Sequence, residues 1–395
     1  MKCRVTKKNC TVVIDFGKMP LGNGFVNKKN FFKEEVFNLK AGFNKNLSLF
    51  QIAENPDPKR IFNKNYPFFT AKSKLMINHF RQFSNWIKKN YIKRDARILE
   101  IGSNDGVFLK NFKNFYHIGF EPSKNVHTVA KKKGLNSFNK FFNSKNIKFL
   151  IKKGIKFDLI FGANVFCHIP NQNDLIKSMR KLLNDNGTII FEEPYLGKMY
   201  EKVSYDQIYD EHIFMFSASS IKKLYEKFGF KLIDCIPQKV HGGSMRYIIK
   251  KKNNHKLTKR LKKILKKEKL KKIDNIEGCL KFKKDVENSK NKLIKKINYL
   301  KSKNNKICGY GATSKSTTIL NYCKINNKMI DCIFDVTNEK IGKYTPLTHI
   351  PIIDYKLFKK MKYKYVFLFA WNHKKEILEK EKKNGNKNIK WITHL

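Results

Sequence analysis

The chain has 395 residues, of which 41% are hydrophobic, so it can bury two or three sizeable cores and is not a largely disordered protein. Its formal net charge is +52, mostly from lysine residues spread along the chain. Specific nucleic-acid recognition usually relies on arginine, so this distribution indicates compositional drift. The alternative is non-specific binding of a polyanion. The sequence has no apolar run of about 18 residues, and its first residues lack the apolar stretch typical of a secretory signal. We therefore expect no transmembrane helix, no secretory leader and a cytoplasmic location.

Residues 1–70 are predicted to form a small N-terminal lobe. The segment combines a strand-like run, TVVIDF, with turn signals at MPLGNG and ENPDP and with the aromatic cluster YPFF. The eight cysteines of the chain are scattered without a CxxC pair, so a disulfide framework is not expected. An amphipathic helix is then predicted from Leu75 to Tyr91, where apolar residues recur at helical spacing.

Between residues 71 and 254 strand-like runs alternate with amphipathic runs of about ten residues. Such alternation predicts an α/β domain with a parallel sheet and helices on both faces. The predicted strands are ARILEIG, YHIGFE, FDLIFGANV, TIIFEEPY, FKLIDCI and SMRYIIKKK, and the predicted helices are VFLKNFKNF, KNVHTVAKKKG, QNDLIKSMRKLL and SSIKKLYEKFG.

Two further regions follow this core. Residues 255–303 are dense in lysine, with leucine and isoleucine at helical spacing, which predicts a helical connector with solvated faces between two domains. Residues 304–395 resume the alternation, with predicted strands at KICGYG, MIDCIFDV and YVFLFAW and a predicted helix from Ser314 to Cys323. The last region is therefore predicted to be a second, smaller Rossmann-like domain.

The clearest chemical signal is the turn after the first strand of the core. The run ILEIGSNDG has an E-x-G-x-x-x-G pattern, in which glycines can reach positive φ and let the backbone approach a ligand. A carboxylate at the end of the second strand can accept hydrogen bonds from both ribose hydroxyls, and an asparagine ends a third strand. This order resembles that of class I methyltransferases, so we predict an S-adenosylmethionine site. Its expected residues are Glu100, Gly102, Ser103, Asn104, Asp105, Gly106, Glu121, Pro122 and Asn164.

Polar side chains also cluster after the later strands. His168 lies in ANVFCHIP, Tyr209, Glu211 and His212 lie together in IYDEHIFMFS, and HGGSMRY supplies a glycine pair and an arginine. A histidine beside a carboxylate and a tyrosine suits general acid–base chemistry near neutral pH. A single histidine at a strand end is more often a hydrogen-bonded structural residue, so the grouping carries the prediction.

With these motifs the sequence resembles a known family, the nucleotide-sugar C-methyltransferases that act on 4-keto deoxysugars. The resemblance extends over nearly the whole chain and rests on YPFFTAKS, ILEIGSNDG, NVFCH, IYDEHIFMFS and HGGSMR, and in the last domain on YGATSKS, THIPI and FAWNH. It implies a class I methyltransferase Rossmann-like core, a small N-terminal lobe, and a Rossmann-like C-terminal domain that binds a nucleotide-sugar.

The resemblance also implies roles for single residues. His212, oriented by Glu211, is expected to remove a proton next to the sugar ketone, and His168, Tyr209 or Tyr66 is expected to stabilise the enolate oxygen. The expected substrate-binding residues are Gly242, Gly243, Ser244, Arg246, Tyr310, Lys315 and Ser316.

The sequence departs from the family in the N-terminal lobe, where family members carry a zinc site built from paired CxxC motifs. Here the corresponding pairs are Cys3 with Thr6 and Asn44 with Leu47. Structural zinc needs about four thiolate or imidazole ligands. We therefore expect no bound zinc and a lobe held by apolar packing.

Three other functions were weighed. A nucleic-acid methyltransferase would account for the charge, but the D/N-P-P-Y signature is missing, since EEPY lacks its first proline. A sugar O-methyltransferase needs a base but no enolate stabiliser. A non-catalytic binding protein is disfavoured by the intact Glu100, Gly102 and Glu121. The sequence leaves the sugar, the nucleotide base, the methylated atom and the oligomeric state open.

Overall fold

Three separate sheets organise the chain in the computed structural model, which describes residues 1–252, 255–386 and 388–395. The strands, in chain order, are β1 (Thr11–Pro20), β2 (Val36–Asn44), β3 (Leu49–Ile52), β4 (Arg97–Ile101), β5 (Tyr116–Phe120), β6 (Ser137–Phe138), β7 (Phe157–Ala163), β8 (Leu183–Pro194), β9 (Phe214–Met215), β10 (Phe230–Gln238), β11 (Ser244–Lys251), β12 (Ile307–Tyr310), β13 (Ile333–Asp335), β14 (Ile352–Asp354), β15 (Tyr365–Leu368) and β16 (Lys390–Ile392).

The helices lie between these strands and in the connector. None of those in the described ranges is long and apolar enough to cross a membrane. They are α1 (Pro58–Ile61), α2 (Lys74–Asn90), α3 (Lys124–Lys132), α4 (Lys148–Lys152), α5 (Gln172–Leu182), α6 (Leu196–Lys202), α7 (Ala218–Glu226), α8 (Lys259–Leu270), α9 (Ile276–Ser302), α10 (Ser314–Tyr322), α11 (Phe358–Met361) and α12 (Lys374–Lys383).

The core sheet has seven strands in the order β10-β11-β8-β7-β4-β5-β6. Strands β4 to β8 are parallel, as the alternating pattern predicts. The expectation of a wholly parallel sheet is wrong for β10 and β11, which pair antiparallel. The loop between these two strands is short, and parallel pairing of consecutive strands needs a longer crossover connection, so the two strands pair antiparallel. Strand order reverses on either side of β4, so this strand marks the edge where ligands bind.

The predicted helix α2 covers one face of this sheet. Its Phe80 and Phe83 rings pack on Phe108 with centroids 4.7 and 4.9 Å apart, and Ser73 caps its first turn. The predicted helix VFLKNFKNF is wrong: only the 3₁₀ turn Leu109–Phe112 forms. The Asn111 side chain donates hydrogen bonds to the carbonyls of residues 107 and 108. In a continuing α-helix these carbonyls would accept backbone amides instead.

The N-terminal sheet is antiparallel, in the order β1-β2-β3-β9. Its fourth strand comes from the core region, because Phe50 and Gln51 pair with Met215 and Phe214. The lobe is therefore hydrogen-bonded to the chain just after the Y-x-E-H motif.

The last domain has a five-stranded parallel sheet in the order β14-β13-β12-β15-β16. This matches the predicted α/β architecture. The sequence pattern missed β14 and β16, which have only three residues each and are too short to show a period. The predicted division into four regions remains a prediction, and its boundary at residue 254 lies outside the described residues.

The lysine-rich connector forms α8 and α9 and packs on the core through Leu261 and Phe282. Its buried Glu268 accepts hydrogen bonds from the amides of Ala218 and Ser219, at 2.7 and 2.8 Å, at the start of α7. It also accepts one from the Tyr195 hydroxyl at 2.9 Å. The connector thus caps a core helix with a carboxylate, in addition to exposing its lysines.

The substitution Glu268→Ala should lower the free energy of unfolding by about 2–3 kcal/mol, because it leaves buried donors at the start of α7 without an acceptor. The matched control is Glu226→Ala, which removes an exposed pair with Lys222 and should cost at most about 0.5 kcal/mol. Denaturant titration followed by circular dichroism measures both; equal losses would contradict the capping role.

Candidate active site

A cavity of about 600 Å³ lies at the carboxyl edge of the core sheet, beside the ends of β4, β5 and β7. Its volume is that of an ordinary small-molecule site. Side chains from the N-terminal lobe, the core and the last domain line it. The predicted residues among them are Tyr66, Glu100, Gly102, Ser103, Asn104, Glu121, Pro122, Asn164, His168, Tyr209, Glu211, His212 and Lys315.

Two backbone amides fix the Glu121 carboxylate at the end of β5. Its Oε1 accepts a hydrogen bond from the Ser123 amide at 2.7 Å, and its Oε2 accepts one from the Asn104 amide at 3.0 Å. Burial raises the pKa of Glu121, although the two amides act in the opposite direction. Each oxygen keeps a free lone pair, so the carboxylate can still accept hydrogen bonds from two hydroxyls of a ligand.

Glu100 is buried near the end of β4 and lines the same cavity. Its Oε2 has no hydrogen-bond partner in the part of the chain that the structure describes. Burial, with the nearby carboxylates of Glu121 and Asp105, raises the pKa of Glu100 well above its usual range. An unpaired buried polar atom is rare in native proteins, and here it offers a partner for a bound ligand.

The two glycines of the turn after β4 occupy positions where the packing of the protein leaves no room for a side chain. Gly102 and Gly106 have left-handed φ values of 70° and 77°. A Cβ atom would lie 2.5 Å from the Val165 side chain at Gly102 and 2.2 Å from the Leu135 side chain at Gly106. Gly102 also lines the cavity, whereas the expected approach of a ligand to Gly106 stays a prediction.

The segment after YPFF covers the turn. Asn104 Oδ1 accepts hydrogen bonds from the amide and hydroxyl of Thr70, at 3.0 and 3.1 Å, and its Nδ2 donates to the Phe68 carbonyl. Asp105 Oδ2 accepts one from the Ala71 amide at 2.9 Å. Asp105 thus holds this covering segment, and its predicted role in cofactor binding stays a prediction.

His212 has both ring nitrogens engaged. Its Nδ1 donates to the Gln207 carbonyl at 2.8 Å, which leaves Nε2 to accept a hydrogen bond from the Tyr209 hydroxyl at 2.9 Å. Burial, with smaller effects from His168 and the charge of Lys315, lowers the pKa of His212 well below 6.5. The imidazole is therefore neutral near pH 7, with its basic nitrogen directed at Tyr209.

Glu211 does not orient His212, contrary to the expectation. Its Oε1 accepts a hydrogen bond from Asn23 Nδ2 at 2.8 Å, and its Oε2 accepts one from the Tyr66 hydroxyl at 3.3 Å. The Gln207 carbonyl has the orienting role instead. Sequence reasoning missed Asn23, which it treated only as part of the turn MPLGNG, and a backbone carbonyl leaves no signal in a sequence.

His168 follows β7 with its ring against two others, 5.9 Å from the Phe62 ring and 5.2 Å from that of His212. Its Nε2 is buried without a hydrogen-bond partner among the described residues. Burial lowers the pKa of His168 to about 4, so this imidazole is also neutral near pH 7. Phe62 was not anticipated as a wall of the site.

Asn164 ends β7 with a left-handed φ of 54°. Its Nδ2 donates to Nε2 of His241 at 3.1 Å, and its buried Oδ1 has no partner within the described ranges. His241, the first residue of HGGSMRY, lines the cavity, whereas the sequence pattern indicated the residues after it.

Arg246 lies in the core rather than in the cavity lining. It stands opposite Glu192 in the pairing of β11 with β8, bonds to it at 2.9 Å, and stacks 3.3 Å from the centre of the Phe83 ring. Of the other residues predicted to bind substrate, Lys315 lines the cavity. Ser244 and Ser316 bond to nearby carbonyls, and Tyr310 bonds to Glu381. A Cβ atom on Gly242 would meet Trp371, and one on Gly243 would meet Lys198.

Residues 207–212, termed the His212 segment, are held between the N-terminal lobe and the last domain. The Gly22 amide donates to Asp210 Oδ1 at 3.0 Å, and the Gly22 carbonyl accepts a hydrogen bond from the Thr317 hydroxyl of α10 at 2.8 Å. A Cβ atom on Gly22 would lie 2.8 Å from Asp210 Oδ1 and 3.2 Å from the Ser314 side chain. All three regions meet here, with room only for glycine.

The four N-terminal positions that the resemblance associates with zinc lie close together, and only Cys3 among them is a thiol. The Thr6 amide donates to Cys3 Sγ at 3.5 Å, Asn44 Nδ2 donates to the Thr6 hydroxyl at 3.5 Å, and the Leu47 amide donates to Asn44 Oδ1 at 2.9 Å. Cys3 and the neighbouring Cys10 supply two thiols, so this donor set does not fit structural zinc. The absence of zinc here stays a prediction.

Comparisons with known proteins show similarities over two parts of the chain and over nearly its whole length. Residues 76–234 match the model of a methyltransferase domain, and residues 239–395 match that of a C-methyltransferase C-terminal domain. The chain is 25% identical over 385 residues to C-methyltransferase NovU of Streptomyces niveus. The aligned region covers 95% of this chain and 91% of that protein.

Two weaker similarities cover the core. A tRNA U34 carboxymethyltransferase of Campylobacter jejuni is 25% identical over 184 residues, which is 42% of this chain and 58% of that protein. The solved structure of an S-adenosylmethionine-dependent methyltransferase from Clostridium acetobutylicum aligns with this chain at a TM-score of 0.35 and 14% sequence identity. The alignment covers 46% of this chain and 94% of that one.

If Glu121 binds the ribose of the cofactor, Glu121→Ala should weaken S-adenosylmethionine binding by about 1.5–3 kcal/mol, the range for hydrogen bonds to a charged group. Isothermal calorimetry on folded protein measures the change. The control is Glu201→Ala, which alters an exposed carboxylate. An unchanged affinity in the Glu121 variant would reject this position for the cofactor.

The substitution Gly22→Ala should destabilise the protein by about 1–3 kcal/mol, as overpacking does, because the new methyl group meets Asp210 and Ser314. Gly24→Ala is the control on the same loop, where the atoms nearest to a Cβ belong to Leu21, the first of them at 3.1 Å. Thermal unfolding measures both, and an unaffected Gly22 variant would show that the three regions do not need this contact.

Proposed function

Because the chain is an S-adenosylmethionine-dependent methyltransferase that carries a C-methyltransferase C-terminal domain, we propose that it methylates a carbon next to the ketone of a nucleotide-linked 4-keto deoxysugar. The cytoplasm is the proposed location, and no specific nucleic acid is a proposed partner.

The observation that carries the proposal is the pair formed by His212 and Tyr209 within a partly buried cavity. A hydrogen on a carbon beside a ketone is weakly acidic, so its removal needs a positioned base. The neutral Nε2 of His212 supplies a lone pair, fixed by the Gln207 carbonyl on the other side of the ring. A positioned base contributes about 10²–10⁴-fold to such a step.

In the proposed reaction the proton passes from the sugar carbon to His212 Nε2, directly or through the Tyr209 hydroxyl. The electrons of the broken carbon–hydrogen bond move to the ketone oxygen, where a donor must stabilise the developing charge. His168 and Tyr66 are the candidates, and one such donor is worth about 10²–10³-fold. Bound S-adenosylmethionine supplies the electrophilic methyl group that the carbon then attacks.

The cofactor and the sugar are proposed to occupy adjoining parts of the cavity. All four of Glu100, Glu121, His168 and His212 line the cavity. In this proposal the two glutamates contact the cofactor and the two histidines contact the sugar. Lys315, in the first turn of α10, supports an anionic group on the side of the last domain, because cations attract phosphates and this lysine is partly buried. We propose that Lys315 contacts the diphosphate that links the nucleotide to the sugar.

Hydrogen exchange at the sugar tests carbon methylation. In deuterated buffer the enzyme with bound S-adenosylhomocysteine should exchange the hydrogen next to the ketone of a nucleotide 4-keto sugar, because deprotonation needs no methyl group. His212→Gln should abolish exchange and turnover while cofactor affinity stays intact. Mass spectrometry and NMR follow the label, with enzyme-free samples giving the background.

The pH profile supplies a second readout. Since burial lowers the pKa of His212, exchange should hold level down to about pH 6.5 and decline only at more acidic pH, where Nε2 becomes protonated. Methylation without exchange, together with an active His212→Gln enzyme, would reject carbon methylation and favour a sugar O-methyltransferase.

A further inference from the structure

A group of three potential metal ligands adjoins the cavity: His168 and His212 line it, and the neighbouring Cys167 is buried. No step of the proposed reaction uses the three residues as a unit. Among the described residues, Cys167, His168 and His212 each offer one ligand atom within 4.8 Å of the other two. Donors around tetrahedral zinc lie about 3.3–3.6 Å apart, given metal–ligand distances of about 2.0–2.3 Å. Each ligand atom would therefore have to move by about 1 Å to reach these separations around an ion.

Two hydrogen-bonding features fit the requirements of a metal ligand. Metal-binding histidines usually donate their other ring N–H to a carbonyl or carboxylate, which fixes the ring, and His212 Nδ1 donates to the Gln207 carbonyl at 2.8 Å. His168 Nε2 is buried and has no hydrogen-bond partner among the described residues. A metal ion would satisfy a nitrogen that the protein leaves unpaired.

The fourth ligand position is accessible from the cavity. His168, His212 and Tyr209 line it, and the Tyr209 hydroxyl lies 2.9 Å from His212 Nε2. A water molecule or this phenol oxygen can complete the tetrahedron. One thiolate and two imidazoles form a donor set that Zn²⁺ and Co²⁺ both accept.

We infer that Cys167, His168 and His212 form a Zn²⁺-binding site, and that an ion held there blocks methyl transfer. Coordination requires the thiolate, so binding releases the Cys167 proton to solvent. The metal then occupies the lone pair of His212 that the proposed reaction needs as its base. The inhibitory half of this inference rests on the proposed function, whereas the binding half does not.

Metal binding is measured first, without turnover. Chelator-treated full-length protein is titrated with Co²⁺, and one equivalent should produce tetrahedral d–d bands and a thiolate-to-cobalt charge-transfer band, both displaced by Zn²⁺. Cys167→Ser should abolish the charge-transfer band and weaken Zn²⁺ binding by more than about 100-fold, since loss of even a supporting partner costs about 10–100-fold. The double variant Cys3→Ser with Cys10→Ser should retain both signals.

Inhibition is measured next. Zn²⁺ should inhibit methyl transfer by the wild-type enzyme, a chelator should restore it, and Cys167→Ser should be active and resistant to Zn²⁺. His168→Gln gives a second test of the ligand set by cobalt absorption, in case Cys167→Ser fails to fold.

The outcomes separate the site from the proposed function. Cobalt binding that lacks a thiolate band, or that survives in Cys167→Ser and is lost in the Cys3 and Cys10 variant, would overturn the site. Binding that depends on Cys167 but leaves methyl transfer unaffected would support the site and overturn its inhibitory role, and with it the assignment of His212 as the base.

Discussion

The active site depends on the confinement of the His212 segment between two other parts of the chain. On one side, Gly22 and Asn23 of the N-terminal lobe bond to Asp210 and Glu211. On the other, the Thr318 hydroxyl of α10 donates to the Ile208 carbonyl at 3.1 Å. A short loop without regular structure would otherwise sample many conformations. Its fixed geometry is what aims the Gln207 carbonyl at His212.

Burial then sets the chemistry of the confined groups. Removal from water disfavours charged imidazoles, so it lowers the pKa of both His168 and His212, and it disfavours charged carboxylates, so it raises that of Glu211. The histidines thereby become neutral hydrogen-bonding groups near pH 7. A site rich in titratable residues consequently carries less charge than its composition suggests.

The large positive charge of the chain has little direct part in this site. The lysines are spread along the sequence, and most lie on exposed surfaces such as those of α8 and α9. Lys315 and Lys340 are the partly buried lysines at the cavity on the side of the last domain. Arg246, the arginine that the motif HGGSMR singles out, is neutralised by Glu192 inside the core. The distribution fits a compositional origin for most of the charge.

The sequence by itself determined the elements whose signals are local. Periodicity located α2 and the parallel strands of the core, and the pattern E-x-G-x-x-x-G located the turn after β4. Tertiary structure decided which groups meet, because those contacts join distant positions: Asn23 and Glu211 are 188 residues apart. The register of β11 on β8 placed Arg246 opposite Glu192, and the fold of the His212 segment replaced Glu211 by the Gln207 carbonyl as the partner of His212. A sequence motif specifies which residues are neighbours along the chain, but hydrogen bonds form between groups that packing brings within about 3 Å.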